Sequence, residues 1–256
     1  MPAPELSNSA ATERLELNVG PVPDDAVERL AGAAVNVLGR MRNASNATFL
    51  VSLDGADGLA IYKPGRGERP LWDFEPGLYR REVAAFRLSE ALGLGVVPPT
   101  VLRPDAPLGE GSLQWFVNAD FREHYFSLYA ERPDLHDQLR AIAVFDALAN
   151  NTDRKSGHCL LEIDSSDGRD RVWAIDNGLC FAADDKLRTV IWEFADEPLP
   201  AELGQAVQRA ADVSAELAGL LAADEIAALS DRARRLMGTA TFPAERHGHG
   251  YPWPLV

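Results

Sequence analysis

The rhythm of hydrophobic and polar positions changes about halfway along the chain. Asp24 to Ala34 carries a helical period behind a Pro-Asp-Asp start, with acidic residues in its first turn. Thr48 to Leu53 and Leu59 to Tyr62 are β-rich runs, and the Asp54-Gly-Ala-Asp-Gly58 between them predicts a hairpin. A long polar loop, Pro64 to Gly77, holds Trp72 and Phe74. The period then lengthens to that of a helix from Leu78 to Leu92, closed by Gly93 and Gly95. Val96-Val97 and Thr100 to Leu102 flank two prolines, and Ser112 to Val117 predicts another strand.

The second half reads differently. Leu135 to Ala149 predicts a strong amphipathic helix, followed by a polar turn from Asn150 to Gly157. Two short strands, Cys159 to Ile163 and Val172 to Ile175, surround a Ser-Ser-Asp-Gly turn. From Leu199 to Leu236 the pattern is helical, broken near Ala223-Asp224, and the tail from Tyr251 to Val256 is expected to pack as an extended strip. Residues 1–18, rich in Pro, Ala, Ser and Asn, read as a loose arm. Strands with one helix, followed mainly by helices, imply two lobes with a boundary near Asn118 to Arg122.

Composition narrows the class. At 256 residues, 46% hydrophobic and 25% charged, the chain is that of a folded globular protein. No run approaches the roughly 18 apolar residues that cross a bilayer. The first residues lack the basic-then-apolar pattern of an export signal, so a cytoplasmic location is expected. Cys159 and Cys180 fit no metal or disulfide framework. A net charge of −14 disfavours nucleic acid and anionic membranes as partners. Only Lys63, Lys155 and Lys186 are lysines, the other basic residues being arginine, so each is worth inspecting.

Alternation along Leu59-Ala-Ile-Tyr-Lys63 puts Leu59, Ile61 and Lys63 on one strand face. A lysine on an apolar face must meet an anion or keep its ammonium in solvent. Glu82, one turn before Phe86 in a mostly apolar helix, is either the carboxylate that holds Lys63 for phosphate oxygens or an exposed helix glutamate. Asp153, in Asn151-Thr-Asp-Arg154, is either a turn-former or a base near a substrate hydroxyl. His158 begins the next strand, within reach of a metal in the same cleft. Asp176 ends a short apolar strand in Ala174-Ile-Asp-Asn-Gly-Leu-Cys-Phe181, where Asp-Asn-Gly also suits a tight turn. Each residue has an ordinary structural reading when taken singly. Their order, from strand lysine through helix glutamate and post-helix Asp to strand-end Asp, is the one kinase chemistry uses, which needs positioning and charge neutralisation more than covalent steps.

Further stretches extend that order: Asn43-Ala-Ser-Asn-Ala-Thr-Phe49, Tyr62-Lys-Pro64, Ser89-Glu-Ala-Leu92 with Val97-Pro-Pro-Thr100, and Gly111-Ser-Leu-Gln-Trp-Phe-Val117. Together with the two aspartate motifs, they resemble the type II phosphatidylinositol 4-kinases, within the wider phosphatidylinositol 3-/4-kinase-like group of atypical kinases. They are most similar to a kinase-like set of actinobacterial proteins. The similarity runs from about Arg42 to Phe181.

The resemblance implies an α+β, two-lobed protein-kinase-like fold. A flexible arm at 1–18 would precede a small β-rich N-lobe at 19–118 with its hinge at 113–118, and a mainly helical C-lobe would fill 119–256. It implies that Lys63 contacts the α- and β-phosphates of ATP, with Glu82 as its partner. Ser45 and Asn46 would lie in the phosphate loop, and the backbone of Gln114, Trp115, Phe116 and Val117 would hold adenine. Asp153 would orient the acceptor hydroxyl, and Asp176 would bind Mg²⁺ or Mn²⁺. The sequence departs from the family where His158 replaces an asparagine, where Asn and Ser replace phosphate-loop glycines, and where Pro64 to Gly77 replaces a cysteine-rich lipidation insert. An imidazole at 158 either hydrogen-bonds Asp153 or a backbone carbonyl, leaving the metal to Asp176 alone, or ligates the metal, in which case it favours Mn²⁺ over Mg²⁺ and activity is expected to fall as His158 protonates near its ordinary pKa of about 6.5. The expected function is transfer of the γ-phosphoryl group of ATP to a hydroxyl of a protein or a soluble small molecule, with an inositol lipid disfavoured by charge. A nucleotide-binding pseudokinase acting as scaffold or sensor, and a nucleotidyl transferase on the same fold, are the alternatives.

Overall fold

The computed structural model describes residues 5–6, 21–41, 44, 46–55, 58–162, 168–245 and 248–256. The strands β1 (Glu5–Leu6), β2 (Val35–Met41), β3 (Phe49–Leu53), β4 (Leu59–Pro64), β5 (Thr100–Arg103) and β6 (Gly111–Trp115) form one sheet in the order β1-β2-β3-β4-β6-β5. β1 runs parallel to β2 and the other neighbours are antiparallel. Glu5–Leu6 thus forms a strand inside the stretch expected to be a loose arm; the rest of residues 1–18 lies outside the described residues.

Helix α1 (Ala26–Gly32) covers one face of this sheet, packing Ala26 and Leu30 against Val51, Ala60, Tyr62, Leu113 and Trp115. On β4 the packed face is therefore that of Ala60 and Tyr62, while Ile61 and Lys63 are only partly buried on the other. The face that alternation marked as apolar is the cleft side. Strand β2 was absent from the predicted elements for a physical reason. Its register with β3 shifts between Val37 and Gly39, so inward and outward positions exchange midway and the period-two signal cancels.

The second half is built from helices α3 (Tyr125–Glu131), α4 (His136–Ala149), α5 (Ala201–Arg209), α6 (Ser214–Leu217) and α7 (Ala223–Thr239), with a hairpin of β7 (Cys159–Leu161) and β8 (Val172–Ala174). Helix α4 is buried on most sides through Leu139, Ile142, Val144, Phe145 and Leu148. Truncating Phe145 to alanine would cost about 3–5 kcal/mol. Only Tyr125 and Leu128 of α3 are buried, too few to show a period, and a capping box between His124 and Ser127 starts it. The break in the long helical stretch precedes Ala223, where the Glu225 side chain accepts from the Ala222 N–H at 2.9 Å. Backbone bonds hold the C-terminal tail, from Ser156 N–H to the Leu255 carbonyl at 2.8 Å and from Thr189 N–H to the Gly250 carbonyl at 2.9 Å. Helix α2 (Leu78–Ala91) joins the helical core through Ala84, Ala85, Phe86 and Leu88. Among the described residues, no helix is long and apolar enough to cross a membrane.

Candidate active site

Lys63 lies near the end of β4, opposite Ser112 of β6. Its ammonium donates to Glu82 Oε1 on α2 and, at 2.7 Å, to Asp176 Oδ1 just beyond β8. Burial alone would lower the Lys63 pKa, but Asp176 and Glu82 outweigh it and hold the value above its ordinary range. Lys63 in turn holds the Asp176 carboxyl well below the usual carboxylate range, against the opposing effect of desolvation and with help from His158 and Lys155. Glu82 is buried, and its second oxygen accepts the Asn177 N–H at 3.0 Å. Asp176 has φ of 57°, in the left-handed region that aspartate and asparagine tolerate best among residues with a side chain.

The turn after α4 is set by a buried polar knot. Asn150 caps the helix at φ 52°; its amide donates to the carbonyls of Ala182 and Asp184, and its oxygen accepts from Lys186 N–H. Arg154 is wholly buried, donating to Asp146 at 2.9–3.1 Å, to Asn177 Oδ1 at 2.6 Å and to the Ile175 carbonyl. Asn151 and Thr189 each add a 3.1 Å bond to the Asp146 carboxylate. This knot ties the turn that carries Asp153 to the strand end that carries Asp176. Asp146 and Thr189 went unnoticed in the sequence. The signal available was a lone acid, Asp146, in an otherwise apolar helix turn.

Asp153 lies beside Lys155, with 3.0 Å between Oδ2 and Nζ, and its own N–H donates to Asn151 Oδ1. Burial pushes its carboxyl pKa up; Lys155 opposes this, and the nearby Asp176 charge adds to it. His158 Nε2 lies 3.5 Å from Asp176 Oδ2. Burial lowers the His158 pKa to about 4, with Arg154, Lys155 and Lys63 adding to the effect and Asp176 opposing it. The expectation of an activity loss near pH 6.5 from this residue is therefore corrected: its imidazole stays neutral down to about pH 4.

The structure thus brings Lys63, Glu82, Asp153, His158 and Asp176 into one cleft. Among the described residues no group of three or more His, Cys, Asp or Glu side chains could hold a metal ion by itself. Asp176 offers the carboxylate oxygen that a divalent cation takes alongside a nucleotide's phosphates, and a neutral imidazole at His158 suits Mn²⁺ better than Mg²⁺ as a second ligand.

The predicted hinge divides. The Gln114 side chain donates to Thr100 Oγ1, the Trp115 N–H to the Pro99 carbonyl and the Phe116 N–H to the Leu59 carbonyl. The Val117 N–H makes no backbone bond among the described residues. In the expected phosphate loop, the Asn46 side-chain oxygen accepts from Arg69 N–H at 2.9 Å, while Ser45 lies outside the described residues.

No protein-family model matches the chain. It is 39% identical to protein Rv2133c of Mycobacterium tuberculosis over 272 residues, covering 90% of this chain and 95% of that one. The chain belongs to the family of that protein. Among solved structures, the Golgi casein kinase with Mn/ADP bound superposes with a TM-score of 0.56 at 15% identity, covering 91% of this chain and 80% of the other. Hydra Fam20 with sugar superposes at 0.55 and 18% identity, covering 84% and 87%. At such identities the likeness shows the fold: two-lobed and kinase-like, with a β-rich N-lobe and a helical C-lobe. That fold is related to the Golgi casein kinase and Fam20 group, and the comparisons do not single out the phosphatidylinositol 4-kinases.

Proposed function

We propose that this member of the Rv2133c family is an ATP-dependent phosphotransferase, moving the γ-phosphoryl group of ATP to a hydroxyl of a protein or a soluble small molecule. The observation that carries the reading is the meeting of Lys63, Glu82 and Asp176 across the cleft of a kinase-like fold, with Asp153 on the facing turn. Two carboxylates share one ammonium there, which leaves negative charge for a cation to neutralise.

In this reading Lys63 holds the α- and β-phosphates while Glu82 fixes its ammonium. The Val117 N–H is the hinge donor left for adenine. Asp176 and His158 hold Mg²⁺ or Mn²⁺, whose charge offsets that of the phosphate oxygens. Asp153 orients the acceptor and takes its hydroxyl proton as the acceptor oxygen bonds to the γ-phosphorus. The bond from that phosphorus to the bridging oxygen breaks, and ADP leaves. The acceptor would approach between the loop after β4 and the segment after Asp176. A cavity of about 590 Å³ there is bounded by Trp72, Phe74, Asp184 and Lys186. Its mixed lining, together with the chain's net charge of −14, favours a soluble acceptor over an inositol lipid.

Incubation with γ-labelled ATP and Mg²⁺ or Mn²⁺ tests the proposal, with self-labelling and ATP hydrolysis as readouts. Transfer from the γ position is expected. Transfer from the α position would make the protein a nucleotidyl transferase, and nucleotide binding without either would make it a pseudokinase.

A further inference from the structure

Glu82 reaches Lys63 from helix α2, whose apolar residues lie outside the core of the sheet. The sheet's own core is closed by α1 and contains no residue of α2. The apolar side of α2, from Ala84 to Leu92, instead belongs to the helical core, where the helix it packs on is α6. Polar ties agree. Arg81, one residue before Glu82, is buried and paired with Glu225 at the start of α7, and it also donates to the Glu75 carbonyl. At the other end, Arg209 of α5 donates to the Leu92 carbonyl. The Glu82 carboxylate itself is held by Asn177 N–H. Against these, α2 runs alongside β5 and β6 without sharing their core.

We infer that α2 is a fixed part of the helical lobe and that Arg81, Glu225 and Arg209 are positioning residues that hold Glu82 in place. The Lys63–Glu82 contact then forms when the sheet closes onto a stationary helix, not when the helix swings into a stationary sheet. A buried ion pair that loses one member leaves an uncompensated charge, so the α2–α7 clamp resists opening. The Lys63 pairing is half-open to solvent at Asp176 and is the weaker joint. The inference deepens the phosphotransferase reading, because it says which body moves when nucleotide binds.

Paired spin labels test it, placed on exposed positions in the full chain, where the native Cys159 and Cys180 are buried. Asn36→Cys with Glu90→Cys reports sheet against α2, and Asp137→Cys with Glu90→Cys reports α4 against α2. Without nucleotide the first distance distribution should be broad and the second narrow. Mg-ATP should narrow the first and leave the second unmoved. A sheet-to-α2 distance that stays fixed while the α4-to-α2 distance broadens or shifts overturns the inference. A melting-temperature shift with Mg-ATP separately reports nucleotide binding, so failure of the phosphotransferase reading leaves the nucleotide-free widths decisive. Arg81→Met should broaden the α4-to-α2 distribution and lower the kcat of ATP turnover by about ten- to a hundredfold through misplacement of Glu82. Arg81→Lys, which keeps the charge facing Glu225, should recover most of both. Equal losses from the two variants, with an unchanged distribution, would refute the positioning role.

Discussion

Asp146 with Arg154 and Lys63 with its two carboxylates are both clusters of opposite charge, and both bind the segment 175–177, Arg154 at Ile175 and Asn177 and Lys63 at Asp176. In the first, both side chains are wholly buried, and Arg154, Asn151 and Thr189 converge on the single Asp146 carboxylate. In the second, one ammonium is divided between two carboxylates, and the Asp176 side chain is 52% exposed. A saturated buried cluster can do little except hold its backbone still, because any exchange of partner would strand a charge in a dry interior. The unsaturated cluster can trade Lys63 for a cation or a phosphate at small cost, since water and incoming charges reach it. The difference in partner count and exposure separates scaffold from site more clearly than residue type does.

The sharpest way to break this comparison is to remove Asp146. Asp146→Ala leaves the Arg154 charge buried and uncompensated and should lower the unfolding free energy by about 3–5 kcal/mol in urea denaturation. A loss below about 1 kcal/mol, the size of an exposed pair, would put the two clusters in the same class. Removing cleft residues should instead spare the fold and cost activity. Asp153→Ala is expected to lose γ-phosphoryl transfer by roughly a hundredfold or more while keeping nucleotide-induced thermal stabilisation. Asp176→Ala should lose the metal-dependent part of that stabilisation as well. Wild-type turnover in both variants would dismantle the site.

Protonation sharpens the comparison further. In the proposed reaction Asp153 accepts a proton only when ionised, and burial raises its pKa. Activity should therefore fall as pH drops through a value above the ordinary carboxylate figure of about 4. Lys155→Met removes the cation that opposes this shift and should move the acid limb of the kcat/KM profile to still higher pH. An unmoved limb would show that Asp153 is not the group titrating. The smallest expected effect is at His158, which stays neutral down to about pH 4. His158→Asn replaces an imidazole with a hard carbonyl oxygen and should lower the ratio of Mn²⁺- to Mg²⁺-supported activity at neutral pH. An unchanged ratio would leave Asp176 as the sole protein ligand.

The long helices α2 and α4 were legible from their helical period, and the strands β3, β4 and β6 from β-rich runs bounded by turn residues, even where, as in β6, every position is buried. It missed β2, where a register shift cancels the alternation, and α3, where two buried residues make no pattern. The polar turns holding Asp153 and Asp176 were legible as motifs, since short polar runs after apolar elements stand out in any chain. Three things were decided only in three dimensions: that Lys63 lies between Glu82 and Asp176, that Arg154 faces Asp146, and that α2 packs with the helical core. Each depends on partners distant in the chain, 113 residues apart in the case of Lys63 and Asp176. The pKa of His158 was misjudged for the same reason. Sequence names the imidazole, but only the packed fold withdraws it from water, and desolvation is the largest cause of its shift.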